Sequence, residues 1–172
     1  MMVEDQLLNR LTIRQVREND LTALEWEGEF THFRNLYADA YRGALRNEIV
    51  MWLAELPEMM VVGQAFVSLV SNRPELADGY RRAYVYGFRV RTMYRGLGIG
   101  SRIMQVIEAD LKQRGYQCVT LNVARENTGA RRLYERLGYR VTAAEPGNWH
   151  YTDEKGVRHD VHEPAWRMEK NI

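Results

Sequence analysis

The sequence has a single cysteine, Cys118, among 172 residues, so an internal disulfide and a cysteine-built zinc site are both out of reach. Long apolar runs are missing too, and nothing approaches the about 20 residues that a membrane-spanning helix needs. The opening "MMVEDQLLNRLTIRQVREND" mixes acids and bases from its fourth residue, which removes the apolar centre of a signal peptide. There is no excess of one charge: 24 Lys and Arg stand against 23 Asp and Glu, a net of +1. A global attraction to nucleic acid or to an anionic membrane is thereby excluded. Internal repeats, low-complexity tracts and linkers are also lacking. A soluble, cytoplasmic protein with no nucleic-acid or membrane partner is the resulting expectation.

What remains is an ordinary globular composition, 45% hydrophobic and 27% charged. The length suits one domain over residues 1–172, able to bury about 70% of the surface its unfolded chain exposes. "LTIRQVREND" alternates Leu11, Ile13 and Val16 as a strand. It ends in Asp20, read as the N-cap of a helix "LTALEWEGE". Phe33, Leu36, Tyr37, Ala40, Tyr41 and Ala44 recur at helical spacing from Phe30 to about Arg46. "EIVMWLAEL" and "MMVVGQAFVSLVS", parted by Pro57, read as a hairpin; "NRPELADGY" is a loop and "RRAYVYGFRV" a further strand. Ile103, Met104, Ile107 and Leu111 then form one helical face that closes at Gly115. "CVTLNV" is a short strand, and "NTGARRLYERLGY" is a helix with Ala130, Leu133, Tyr134 and Leu137 on one face and Gly138 as its cap. The tail holds "NWHYT", a turn "DEKG", "VRHDVH" and a last strand "AWRMEK". This order predicts an α+β fold with a mixed, mostly antiparallel central sheet flanked by helices.

The stretch "YRGLGIGSRIM" puts three alternating glycines where a strand gives way to a helix. A helix N-terminus offers unpaired amides and the positive end of the macrodipole, and glycines let an anion approach them closely. The dinucleotide fingerprint fails, because Ser101 and Ile103 stand where its third glycine belongs. The phosphate loop of nucleotide hydrolases fails for want of its Gly-Lys-Ser or Gly-Lys-Thr end. What stands is Arg95-x-x-Gly98-x-Gly100 directly after a strand. This resembles the acyl-CoA pyrophosphate loop of the GCN5-related N-acetyltransferase (GNAT) family. Asn127, Ala130, Leu133, Tyr134, Gly138 and Tyr139 repeat that family's second block, N-x-x-A-x-x-L-Y-x-x-x-G-[FY], at its spacing.

The resemblance implies a GNAT domain that moves an acetyl group from acetyl-CoA to a primary amine in a ternary complex, with no metal. It implies that the main chain of Phe88, Arg89 and Val90 pairs with the pantetheine arm. The amides of Arg95, Gly96, Leu97, Gly98, Ile99, Gly100 and Ser101 would wrap the pyrophosphate, and Asn127 would contact the pantetheine. Tyr134 would point at the sulfur as general acid; on its own it reads as a core residue of the helix's apolar face. Arg131 and Arg132 would meet nucleotide phosphates or simply form a solvated face. Many family members carry a glutamate where this chain has Asn122, which cannot take a proton. Asn122 shares a strand face with Thr120, opposite Val119, Leu121 and Val123, and would position a water or satisfy buried backbone.

Other bases are poorly placed. Glu25, Glu27 and Glu29 flank Trp26 and Phe30 in the segment that walls the acceptor site in this family, although an acidic run is usually a solvated face. With "DEKG" as the loop, His150 pairs across from His159 and His162 faces the other way, too few ligands for zinc. Cys118 reads as a small buried hydrophobe. Trp26, Tyr37, Tyr41, Trp52, Tyr84 and Tyr86 read as core. The acceptor is expected to be a small-molecule amine, favoured over a peptide, with a cationic amine suited to the acidic, aromatic segment from Glu25 to Phe33. A homodimer is compatible with aromatics in the tail hairpin. The alternatives are a peptide N-acetyltransferase or a non-catalytic acyl-CoA sensor, the latter favoured by the missing glutamate.

Overall fold

A computed structural model describes residues 2–172 of the chain. Its centre is a seven-stranded sheet in the order β1-β2-β3-β4-β5-β9-β6. The strands are β1 Thr12–Gln15, β2 Ile49–Leu56, β3 Met60–Ser68, β4 Arg82–Val90, β5 Cys118–Ala124, β6 Arg140–Glu145 and β9 Ala165–Asn171. Every neighbouring pair is antiparallel except β4 and β5. That one parallel pair needs a crossover, supplied by helix α3, Ile99–Gln113. The expected mixed, mostly antiparallel sheet with helices on its faces is therefore the observed fold.

Two cores lie on opposite faces of the sheet because strand side chains alternate. On one face Val50, Trp52 and Ala54 of β2 and Val119, Leu121 and Val123 of β5 meet Ile103, Met104, Ile107 and Leu111 of α3. Tyr134 joins them from α4, Thr128–Arg136. On the other face Met51, Leu53 and Phe66 meet Tyr37 and Ala40 of α2, Arg34–Leu45. A separate two-stranded hairpin, β7 Asn148–Thr152 with β8 Arg158–His162, leans on α2. There Phe33 packs edge-on to Tyr151 at 4.9 Å, and Asn35 Nδ2 donates to the Asp153 carbonyl at 2.7 Å.

Several local readings differ from the sequence expectation. Residues 21–29 form no α-helix: 3₁₀ turns at Glu18–Asp20 and Ala23–Glu25 end where Trp26 and Glu27 take φ of 48° and 58°. The left-handed region cannot continue a helix; what holds it is burial of the Trp26 indole against Phe30, at 5.2 Å, and the Arg91 guanidinium at 4.9 Å. Asp20 caps nothing downstream, because its carboxylate accepts from the Arg17 amide at 2.6 Å and the Arg14 guanidinium at 2.8 Å. Helix α2 begins at Arg34 rather than Phe30, after a 3₁₀ turn at Thr31–Phe33. A helix α1, Met2–Arg10, and strand β6 stand where no element was expected.

The tail register is shifted by one: His159 lies opposite Tyr151, and His150 opposite Asp160. The loop takes in Val157, because the Asp153 carboxylate accepts from the amides of both Lys155 and Val157 at 2.9 Å. His150 and His159 consequently fall on opposite faces. No metal-ligating group of three occurs among the described residues.

Candidate active site

The parallel pairing of β4 with β5 runs from Arg82 and Cys118 only to Val85 and Leu121. Beyond that point β5 stays with β9 as far as Ala124 and Ala165, while β4 stays with β3 to the pair of Val90 with Gly63. The main chain of Tyr86–Val90 therefore has no ladder partner on its β5 side, and a gap opens between the strands. A register irregularity in the β3–β4 ladder between Gln64 and Phe66 bends β4 at this place. Phe88 turns toward α4, its ring 6.0 Å from Tyr134, while Arg89 turns to the opposite face and lies over Phe30.

The glycine loop lies at the end of this gap. Arg95 Nε donates to the Val90 carbonyl at 2.9 Å, so its guanidinium fastens the strand to the loop. Gly98 is the N-cap of α3 with φ of 85°, a left-handed conformation. Gly100 has a different reason: a Cβ there would lie 3.2 Å from both Leu133 Cδ2 and Phe88 Cζ, so the glycine allows α3 to sit close to α4 and β4. The first amides of α3 are left without intrahelical partners, as at any helix start.

Asn127 is exposed and caps α4, its Oδ1 accepting from the Ala130 amide at 3.1 Å, which leaves its amide NH₂ to donate outward. Tyr134 is 5% exposed, and burial pushes its hydroxyl well above the usual phenol range. Arg131 pairs with Glu135 at 2.8 Å, while Arg132 is solvated. Cys118 is buried, and burial raises its thiol pKa.

On the α2 face a cavity of about 730 Å³ reaches the gap at Gly87, Asn122 and Ala124. Tyr84 and Tyr86 lie in its wall, stacked at 5.9 Å with planes 8° apart, and Tyr86 also packs against Phe66 of the core. Burial raises both hydroxyl pKa values. Asn122 Oδ1 is buried with no partner among the described residues. Phe33, Leu36 and Tyr37 form the opposite wall, and Asn148 and Trp149 of the hairpin stand at the rim. Glu145, 6% exposed, is clamped by Arg73 at 2.8 Å and by Arg167 at 3.1 Å.

None of the three N-terminal glutamates lines this cavity. Glu25 is buried against Arg34 at 2.9 Å, and that guanidinium holds its carboxyl below the usual range. Glu27 is held low in the same way by Arg91, at 2.8 Å. The cavity residues Arg73, Tyr84, Tyr86, Glu145 and Trp149 were not singled out as a site by the sequence. Alternation in "RRAYVYGFRV" was the one available signal, since it places Tyr84 and Tyr86 opposite Ala83 and Val85.

The chain is 26% identical over 92 residues, 54% of its length, to the uncharacterized N-acetyltransferase YycN of Bacillus subtilis. It is 28% identical over 134 residues, 73% of its length, to the probable N-acetyltransferase camello of Xenopus tropicalis. These alignments span 56% and 58% of the two relatives, so the chain matches little more than half of each. In fold it is similar to a GNAT family acetyltransferase from Elizabethkingia anophelis with acetyl-CoA bound. That match has a TM-score of 0.67 and 13% identity, covering 95% of this chain and 99% of the other. A model of the acetyltransferase (GNAT) family matches residues 13–139, most of the chain. The protein belongs to the GNAT acetyltransferase family.

Proposed function

We propose that the protein transfers an acetyl group from acetyl-CoA to a primary amine of a small molecule, by direct attack within a ternary complex. The observation that carries this reading is the gap beyond Val85 and Leu121, with the start of α3 at its end and an aromatic cavity behind it. Unpaired strand main chain can take an extended ligand as an added strand. The pantetheine arm of acetyl-CoA has that shape, and the structural neighbour from Elizabethkingia holds acetyl-CoA. In this reading the main chain of Phe88, Arg89 and Val90 receives the arm, and the amides from Arg95 to Ser101 receive the pyrophosphate. Asn127 donates to the pantetheine from the NH₂ that its capping role leaves over.

The amine nitrogen enters from the cavity and bonds to the thioester carbon; the carbon–sulfur bond breaks, and the sulfur leaves with the electron pair. Backbone N–H groups of β4 stabilise the oxyanion formed on the way. A thiol near pKa ~8.5 is a stronger acid than a buried tyrosine, so full proton transfer from Tyr134 runs uphill. Tyr134 therefore supports the departing sulfur as a hydrogen-bond donor, and the final proton comes from solvent. On the acceptor side Asn122 can hold a water through its unpaired Oδ1 but cannot take the proton itself, so the proton that the attacking nitrogen sheds passes to that water and on to solvent. Glu145 is already engaged by the guanidinium groups of Arg73 and Arg167.

The small-molecule preference is supported by the hairpin, whose Asn148 and Trp149 help to line the cavity. Thiol release from acetyl-CoA, measured with separate pools of small amines and short peptides after calorimetry of acetyl-CoA alone, tests the proposal. Release with small amines is the expected result. Acetyl-CoA binding without release from either pool would favour the sensor alternative.

A further inference from the structure

Of the cavity's charged residues, Arg89 and the exposed Glu163 have no ion-pair partner among the described residues. Asp39 pairs with Arg42, and Arg73 with Glu145. The Arg89 guanidinium lies 4.0 Å over the Phe30 ring and 4.9 Å from that of Phe33, and its Nη1 donates to the Tyr37 hydroxyl at 2.6 Å. No carboxylate pairs with it among the described residues, whereas Arg14, Arg34, Arg82 and Arg91 each have at least one. The residue is half-buried in the cavity wall. Aromatic rings strip water from the faces of the guanidinium but offer nothing to the N–H groups around its edge. Of five donors one is used within the protein. A partly desolvated cation with a preset donor fork and no counter-ion is matched by an incoming carboxylate.

Its place in the strand fixes where that carboxylate would sit. Arg89 is two residues beyond Gly87, where the cavity meets the gap, so its backbone is at most ~7 Å from that of Gly87. The stacked pair Tyr84 and Tyr86 offers an apolar wall for the body of the same molecule.

We propose that the acceptor is an amine that also carries a carboxylate, an amino acid or close relative, and that Arg89 selects it by taking the carboxylate in a two-pronged hydrogen bond. The proposal deepens the transferase reading and rests on it. It also replaces the expectation of a purely cationic amine, since the glutamates behind that expectation are paired with arginines away from the cavity.

The test compares free amino acids with their carboxamides, equal in skeleton and differing in the anionic group. With wild-type protein, kcat/KM for at least one amino acid should exceed that of its amide by ten- to a hundredfold, the range for a hydrogen-bonded charge. Arg89→Met should bring this ratio close to one, and Arg89→Lys, which keeps the charge but not the fork, should restore part of it. A loss of packing alone would lower both rates and leave the ratio in place. Amides used as well as acids by the wild type would overturn the proposal. If no amine supports turnover, thermal shifts by N-acetyl amino acids and N-acetyl amino amides decide it without catalysis. An acid-selective shift that Arg89→Met abolishes upholds the carboxylate site even should the transferase reading fail, and equal shifts overturn it. Calorimetry of acetyl-CoA binding judges the transferase reading separately.

Discussion

The two glycines that flank the start of α3 should fail in different ways when replaced by alanine. At Gly98 the φ of 85° puts any Cβ against the following carbonyl, which costs about 1–2 kcal/mol. The new methyl would also lie 3.3 Å from Leu8 Cδ1, the far end of a side chain that can move aside. For a chain of this size that predicts a fall in Tm of about 2–8 °C. Relief comes by turning φ negative, which swings the loop amides away from the helix axis. Acetyl-CoA affinity should then fall tenfold or more. Gly100 is already helical, so alanine gains up to ~1 kcal/mol in propensity there. Its methyl must displace Leu133 or Phe88, each 3.2 Å away, an overpacking cost of about 1–3 kcal/mol. These nearly cancel, and the methyl points into protein rather than toward the loop, so affinity should change less than threefold. Calorimetry of acetyl-CoA binding beside thermal unfolding measures both. If Gly100→Ala abolished binding while Gly98→Ala left it intact, close ligand approach rather than backbone hand would be the reason for the glycines, and the argument would be wrong.

Tyr134→Phe should lower turnover by about ten- to a hundredfold, the range for a hydrogen bond to a charged group, with acetyl-CoA affinity within twofold of wild type. Turnover unchanged in steady-state thiol release would remove Tyr134 from the reaction. Glu145→Gln leaves Arg73 and Arg167 without their shared anion; because the Arg73 side chain is 42% exposed, the loss should be ~1–3 kcal/mol, below the fully buried range, and visible in urea unfolding. Asp153 is held below the usual carboxylate range first by its hydrogen bond with His159 and then by the Val157 amide. Its contribution is therefore present above its unfolded pKa, about 3.9, and is lost as pH falls through the lower folded value. Hydrogen exchange at the Lys155 and Val157 amides should accelerate across that window in wild type. Asp153→Ala should exchange fast at every pH, and equal protection in the two proteins would contradict this.

How far the sequence could be read depended on whether a feature is local. The face Ala130, Leu133, Tyr134 and Leu137 and the stop at Gly138 are set within one helix, and the structure has α4 there with Gly138 just beyond its end at φ of 98°. Helix α1 escaped notice because it buries no residue fully; only Leu7 and Leu8 touch the core. The segment from Leu21 to Glu29 carried helical spacing, but its left-handed turn at Trp26 is held by Phe30 and by Arg91, a residue of another part of the fold. The one-residue error in the tail came from a side chain: Asp153 draws Val157 into the loop, and one added loop residue moves every pair beyond it.

The site itself is legible only in halves, and the reason lies in the sheet. The proposed donor half draws on two local stretches, β4 through the glycine loop to α3 and then α4 with Asn127 and Tyr134, so each motif survives as a string of letters. The acceptor half is assembled from α2, the segment around Arg73, β4, β5, the end of β6 and the hairpin, and no spacing along the chain encodes it. Both halves nevertheless depend on one event, the parting of β4 from β5 after Val85 and Leu121. Partners on the outer sides hold each strand: β9 accompanies β5 through Ala165, and β3 accompanies β4 through Gly63. Closing the gap would require breaking one of those ladders, so the unpaired backbone stays available to a ligand. Strand main chain left half-buried without a partner costs about 1–3 kcal/mol per group. A ligand that supplies those hydrogen bonds recovers this cost on binding, which couples occupation of the donor half to the order of the wall it shares with the acceptor cavity.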